Sequence, residues 1–211
     1  GVGTYATITV NGKDFGRHPI GRTTLTLDVT DELKQGVNRL EVKAEHPEMI
    51  ADMPWVCGGC SSEWGFSEGS QPLGIFRPVV LEVTDEIRIE PFGVHIWNDE
   101  KAANVFVKTE VKNYSKTTET VELVNKLSNA DGKQVFRLVE KVTLAPGEMK
   151  VIRQQAPVEN PVLWNTENPY LYKLASMIKR DTKTTDEIST PFGIRTISWP
   201  VKRNDGDGRF Y

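Results

Sequence analysis

Alternation of apolar and polar positions is the strongest signal along this chain. From Thr4 to Val10, Ala6, Ile8 and Val10 fall on one face, and the run stops at Asn11-Gly12. That pair suits a tight hairpin turn because both residues tolerate positive φ. Leu25, Leu27 and Val29 alternate in the same way, and after a polar turn from Asp31 to Gly36 so do Leu40, Val42 and Ala44. The pattern predicts three strands before residue 45. It then fails from Glu45 to Gly74, a stretch of prolines and glycines with no period of 2 or 3.6. Structureless connections beyond about 15 residues are uncommon in compact domains and are usually functional or disordered. Trp55, Trp64 and Phe66 within the stretch argue for an ordered loop with a purpose. Ile75 to Thr84 reads as one further β-prone run, and Thr84-Asp85-Glu86 is the expected boundary of the first unit.

The rhythm resumes beyond it. Val105, Val107 and Val111 share a face, as do Val121, Leu123 and Leu127, and then Phe136, Leu138, Val142 and Leu144, with Asn129 to Gly132 turning between the last two sets. Strands are also expected over Ile87 to Trp97, Lys150 to Gln155, Leu171 to Lys179 and Glu187 to Thr196. About seven short strands in a segment of this size predict an immunoglobulin-like sandwich. With no helical pattern between the strands, parallel βαβ and (β/α)8 architectures are not expected, and the expected fold class is all-β, with two β-sandwich units.

Composition narrows the partners. The 26 basic and 29 acidic residues give a net charge of -3 without a Lys/Arg stripe, so nucleic acid and anionic membranes are not expected partners. No apolar run reaches the ~20 residues of a membrane helix, since even Ile75 to Val83 contains Arg77 and Glu82. The two cysteines, Cys57 and Cys60, are too few for a disulfide scaffold. Their CxxC spacing lacks the βαβ setting of a redox motif and the four ligands of structural zinc, so they read as a plain loop pair, reduced or locally bridged. No metal or other cofactor is expected.

Three groups of residues together resemble glycoside hydrolase family 2. Val10-Asn11-Gly12-Lys13-Asp14-Phe15-Gly16-Arg17-His18, then Asp28-Val29-Thr30 and Gly36-Val37-Asn38-Arg39-Leu40, are similar to the family's sugar-binding jelly-roll domain. Gly74-Ile75-Phe76-Arg77-Pro78-Val79 resembles that domain's last strand. Asn160-Pro161-Val162-Leu163-Trp164, Asn168-Pro169-Tyr170-Leu171-Tyr172 and Phe192-Gly193-Ile194-Arg195-Thr196 resemble the end of its immunoglobulin-like domain. The motif residues themselves read as framework, since none is a titratable group placed for chemistry.

The resemblance implies a division into residues 1–86, the later part of the jelly roll; 87–196, the immunoglobulin-like sandwich; and 197–211, a linker toward a (β/α)8 catalytic barrel, with Gly208-Arg209-Phe210-Tyr211 approaching the barrel's first strand. Retaining glycosidases need two carboxyl groups about 5–5.5 Å apart on a rigid frame, which the family carries on the barrel. Such a barrel takes ~250 residues, so no catalytic residue is expected in this chain. The implied parent is an exo-acting retaining glycosidase most like a β-galactosidase, with β-glucuronidase and β-mannosidase as alternatives and a free-standing carbohydrate-binding or adhesion module as the rival from another class. Its implied partners are a carbohydrate substrate and, within the molecule, the barrel. Homo-oligomerisation stays open, and a periplasmic or secreted compartment is favoured over the cytoplasm.

In the family an aspartate in a similar Asp-Met-Trp context reaches sugar hydroxyls, which points to Asp52, beside Met53, Pro54 and Trp55, as a substrate-binding residue. A carboxylate accepts several hydroxyl hydrogen bonds, and Trp55 and Trp64 could stack on a sugar's C–H face. The same residues would equally serve as a loop carboxylate and a small apolar cluster, and His46, Glu63 and Glu68 read as solvated loop positions.

Overall fold

The computed structural model describes residues 1–3, 5–19, 23–45 and 74–197. The chain forms two compact units, Gly1–Glu82 and Val83–Tyr211.

In the first unit, β1 (Val2–Gly3) pairs with β5 (Gly74–Ile75), and β2 (Tyr5–Val10) lies between β3 (Lys13–His18) and β4 (Leu40–Glu45), all antiparallel. Val2, Ala6, Ile8 and Val10 form a small core, with Phe15, Leu25, Leu27, Val29, Val42 and Ala44 packed against it. The Asn11-Gly12 turn forms as expected, with φ of 49° and 90°. Asn11 does more than turn the chain. Its Nδ2 donates to the Glu32 carbonyl at 2.7 Å and to Asn38 Oδ1 at 2.8 Å, while its Oδ1 accepts from the Arg39 amide at 2.8 Å. Asn38 in turn closes the polar turn, its Oδ1 accepting from the Lys34 amide and its Nδ2 donating to the Lys34 carbonyl. The two asparagines therefore knit the hairpin to the segment entering β4.

Two expectations change here. Residues 25–29 form no strand; the third strand of the sheet is β3, whose sequence Lys-Asp-Phe-Gly-Arg-His carries only Phe15 toward the core. The alternation at Leu25, Leu27 and Val29 serves packing alone, because the sheet position beside β2 is taken by the segment the tight turn delivers there. Of the β-prone run from Ile75 to Thr84, only Ile75 lies in a strand, and Val79, Val80, Leu81 and Val83 are exposed.

Among its described residues the second unit is a sandwich of seven strands: β6 (Ile87–Asn98), β7 (Asn104–Asn113), β8 (Glu119–Ser128), β9 (Gln134–Leu144), β10 (Met149–Pro157), β11 (Tyr172–Arg180) and β12 (Lys183–Phe192). One sheet has the order β10-β7-β6 and the other β12-β11-β8-β9, every pairing antiparallel. Inward residues from both sheets make two apolar clusters. One holds Val105, Val107, Leu127, Tyr172 and Leu174, the other Ile87, Val111, Leu123, Leu144 and Ile178. Between them lies a polar layer. Asn125 Nδ2 donates to Gln154 Oε1 at 2.9 Å and to Thr109 Oγ1 at 3.2 Å, and its Oδ1 accepts from Ser176 Oγ at 2.5 Å. Thr109, Asn125 and Ser176 are fully buried, so these bonds satisfy groups that water cannot reach.

β6 carries a wide bulge. Ile89 pairs with Val111 and Val94 with Thr109, so Glu90, Pro91, Phe92 and Gly93 together oppose Glu110. The freed Ile89 amide donates to Asp186 Oδ2 at 2.8 Å, and Phe92 takes the left-handed conformation with φ of 60°. The bulge also fixes which side chains beyond it face outward, Trp97 among them.

Candidate functional site

Where β6 runs alongside the end of β12, an open groove of about 770 Å³ is lined by Trp97, Asn98, Asp99, Trp164, Phe192 and Arg195, among others. Three strand ends and a loop meet there, and short polar ties hold them. Asn98 Nδ2 donates to the Arg195 carbonyl at 2.8 Å, and Asn98 Oδ1 accepts from the Arg195 amide at 3.2 Å. One side chain thus imitates a strand partner for the segment that follows β12. The Trp164 amide donates to the Ile194 carbonyl at 2.7 Å, and the Arg195 guanidinium lies 5.8 Å from the Trp164 ring centroid, within cation–π range.

Gly193 is required by this packing. A Cβ there would sit 2.9 Å from Cβ and Cγ of Trp164, so the Phe-Gly-Ile-Arg motif owes its glycine to the indole laid across it. Ile194 is fully buried in the sandwich core. The other motifs also prove to be framework. Tyr172 is buried and its hydroxyl accepts from the Val162 amide at 2.9 Å. Burial pushes the Tyr172 phenol pKa up, against the opposing effect of that bond. Tyr170 meets Tyr172 edge to face at 5.1 Å and accepts from the Ala130 amide at 3.1 Å, bracing the 129–132 hairpin. Asn165 Oδ1 accepts from the amides of Glu167 and Asn168 at 3.0 and 2.6 Å, closing the turn between the two Asn-Pro corners.

The carboxylate nearest the groove's aromatic residues in sequence is Asp99, and its oxygens are committed. Oδ2 accepts from the Asn104 side-chain amide at 2.7 Å, and Oδ1 accepts from the Ala103 and Asn104 amides at 2.8 and 3.3 Å. The Asn104 side chain first, with these backbone donors, holds the Asp99 carboxyl below the usual carboxylate range, against some desolvation. A carboxyl kept ionised by its own turn suits a cap and not a proton donor. The groove can therefore offer aromatic surface, a guanidinium and backbone edges, which are the means of binding and positioning.

The residues singled out as substrate-binding, Asp52, Trp55 and Trp64, lie outside the described residues, as do Cys57, Cys60, His46, Phe66, Glu63, Glu68 and residues 198–211. Among the described residues no group of three or more His, Cys, Asp or Glu is placed to hold a metal ion, and no helix is long and apolar enough to cross a membrane. Sequence reasoning passed over Trp97. The signal was present: in the alternation of β6 it falls on the outward face, 44% exposed, where a lysine or threonine would satisfy the pattern more simply.

A family model described as glycosyl hydrolases family 2 matches residues 87–195, which is the sandwich just described. Over 207 residues the chain is 30% identical to the β-galactosidase BoGH2A of Bacteroides ovatus, covering 96% of this chain and 23% of that protein. It is 28% identical over 209 residues to a β-glucuronidase of Formosa agariphila, covering 92% of this chain and 21% of the relative. Among solved structures, a β-glucuronidase of Bacteroides uniformis superimposes with a TM-score of 0.80 at 25% identity, covering all of this chain and 25% of that one. The chain belongs to glycosyl hydrolases family 2. It spans between a fifth and a quarter of the length of these relatives.

Proposed function

We propose that this chain is the non-catalytic β-sandwich section of a retaining exo-β-glycosidase acting on terminal β-linked sugars, most like a β-galactosidase. One observation carries the reading. Nearly the whole chain aligns with under a quarter of a β-galactosidase, and the family model falls on a sandwich whose motif residues are spent on turns, caps and core. On this reading residues 1–86 are the later part of a sugar-binding jelly roll and 87–196 the immunoglobulin-like sandwich. Residues 197–211 lead toward a (β/α)8 barrel that holds the paired carboxyl groups. The sandwich buttresses the barrel, and the 45–74 loop brings Asp52, with Trp55 and Trp64, to the sugar. The β-glucuronidases among the relatives favour a second reading in which the parent removes terminal glucuronate, and the chain's role is the same.

The test compares the parent polypeptide with this chain alone on aryl β-galactoside, β-glucuronide and β-mannoside. The parent is expected to hydrolyse one of the three and the chain none. Turnover by the chain alone would overturn the proposal, and the sugar preferred by the parent decides between the two substrate readings.

A further inference from the structure

The outward face of the β10-β7-β6 sheet carries two adjoining rows whose chemistry the scaffolding role leaves unused. In the first row the cross-strand partners are Trp97, Phe106 and Gln155; in the second they are His95, Lys108 and Arg153. Residues two apart on a strand share a face and lie about 7 Å from each other, so the rows run side by side across the three strands. The Trp97 and Phe106 rings are stacked, with centroids 5.6 Å apart and planes within 14°. A shallow groove of about 220 Å³ runs beside them, bordered by Trp97, Phe106, Arg153 and Gln155.

The charges of this face are unequal. Lys108 is paired with Glu110 at 2.7 Å, and Arg88 with Glu90 at 3.5 Å. Lys112 lies 4.3 Å from the Tyr114 ring centroid. Arg153 has no carboxylate within ion-pair distance among the described residues, and it is exposed. A chain of net charge -3 thus turns toward solvent a face where a guanidinium without a carboxylate partner among the described residues borders an exposed indole. An aromatic pair suits the C–H face of a pyranose, an amide such as that of Gln155 suits its hydroxyls, and a free guanidinium suits a carboxylate through paired hydrogen bonds.

We infer that this face is a glycan-binding platform outside the catalytic pocket, taking a pyranose chain that carries uronic carboxylates. A glycosyl unit rests against Trp97 and Phe106, Gln155 meets its hydroxyls, and Arg153 takes a carboxylate of the same or the neighbouring unit. The inference rests on reading the chain as part of a glycan-cleaving protein and adds a site that holds polymer near the reaction without taking part in it.

Isothermal titration of the full 211-residue chain tests it with two probes of equal length, a β-linked oligosaccharide containing glucuronate and its neutral glucose counterpart. The acidic probe should bind at least about tenfold more tightly, a ratio equivalent to ~1.4 kcal/mol. Trp97→Ala should weaken both probes, and Arg153→Gln should bring the acidic probe down to the affinity of the neutral one. Circular dichroism checks the fold of each variant. If Trp97→Ala fails to fold, Arg153→Gln together with Gln155→Ala carries the test. Absence of binding, equal affinity for the two probes, or binding unchanged in Trp97→Ala and Arg153→Gln would overturn the platform. Hydrolysis of small aryl glycosides by a parent carrying Arg153→Gln should be unchanged. Absence of oligosaccharide binding by the native chain, with intact hydrolysis by the parent, therefore removes this inference alone, while a parent that hydrolyses nothing removes the functional proposal.

Discussion

The side-chain amide of Asn98 pairs with the backbone of Arg195 in both directions, donating to its carbonyl at 2.8 Å and accepting from its amide at 3.2 Å. Asn98 ends β6 in one sheet, and Arg195 follows β12 of the other. The exchange stitches the two sheets together where the groove opens and sets the direction of the chain leaving the sandwich. Replacing Asn98 with Ala strands both backbone groups, which are partly open to water, so the expected loss is about 1 kcal/mol. Asn98→Asp keeps the acceptor but loses the donor and should lie between the two. Denaturant midpoints of the three proteins give the order, and an Ala variant as stable as the native chain would show that water replaces the amide without cost.

The polar layer around Asn125 should behave differently because water is absent. Asn125→Ala leaves the buried hydroxyls of Ser176 and Thr109 short of a partner and releases the side-chain oxygen of the half-buried Gln154, at an expected cost of about 2–3 kcal/mol. Adding Ser176→Ala should cost less than the sum of the single changes, since it removes one of the stranded groups. Chemical denaturation of both single variants and the double variant checks this, and strict additivity would mean the Asn125 to Ser176 bond contributes no coupling.

These two asparagines show how far the sequence could be read. Alternation located β6, β7, β8, β9, β10 and β11, because both faces of a sandwich strand obey a period of 2 and the inward face is apolar. It could not foresee Asn125 inside the core, where an amide interrupts the apolar row between Leu123 and Leu127 and is tolerated only because three other strands bring partners to it. The last strand runs Lys183–Phe192, earlier than the expected Glu187 to Thr196, since Gly193 to Thr196 are drawn off the sheet by Trp164 and Asn98. In the first unit, β3 escaped notice for the opposite reason. Its residues are polar, and a tight turn, which is a local signal, places them beside β2 without an apolar stripe. The family motifs were legible as framework. The groove was not, because it is assembled from Trp97, Trp164 and Arg195, which lie far apart in sequence and carry no shared pattern.

Asp99 gives a pH dependence with a definite sign. Hydrogen bonds from Asn104 and Ala103 hold its folded-state pKa below the ordinary value, so the unfolded chain takes up the proton first as acid is added. The stabilisation is present above about pH 4 and is lost as pH falls through the lower folded value. Asp99→Asn cannot titrate, so its unfolding free energy should fall less steeply between about pH 4 and pH 2. Urea unfolding across that range measures the slope for both proteins. Parallel curves would show that the turn does not stabilise the carboxylate over its protonated form.

Gly93 and Gly193 are both too crowded for a Cβ, yet the obstacles differ in kind. At Gly93 the added atom would sit 2.7 Å from the Glu90 carbonyl oxygen, inside the β6 bulge. Backbone cannot swing away, so Gly93→Ala must rebuild the bulge, disturbing the Ile89 to Asp186 bond and the outward setting of the residues beyond it. At Gly193 the neighbours are Cβ, Cγ and Cδ1 of Trp164 at 2.9–3.0 Å, and since that Cβ is fixed to its own backbone, relief needs the Trp164 segment to move and not only the indole to turn. Overpacking typically costs about 1–3 kcal/mol, and both variants should lose stability within that range. The two should separate spectroscopically. Gly193→Ala should change the near-ultraviolet dichroism of tryptophan through Trp164, because the segment that must move carries both the indole and the backbone bond to Ile194. A native denaturation midpoint and an unchanged tryptophan signal in Gly193→Ala would refute the crowding against Trp164.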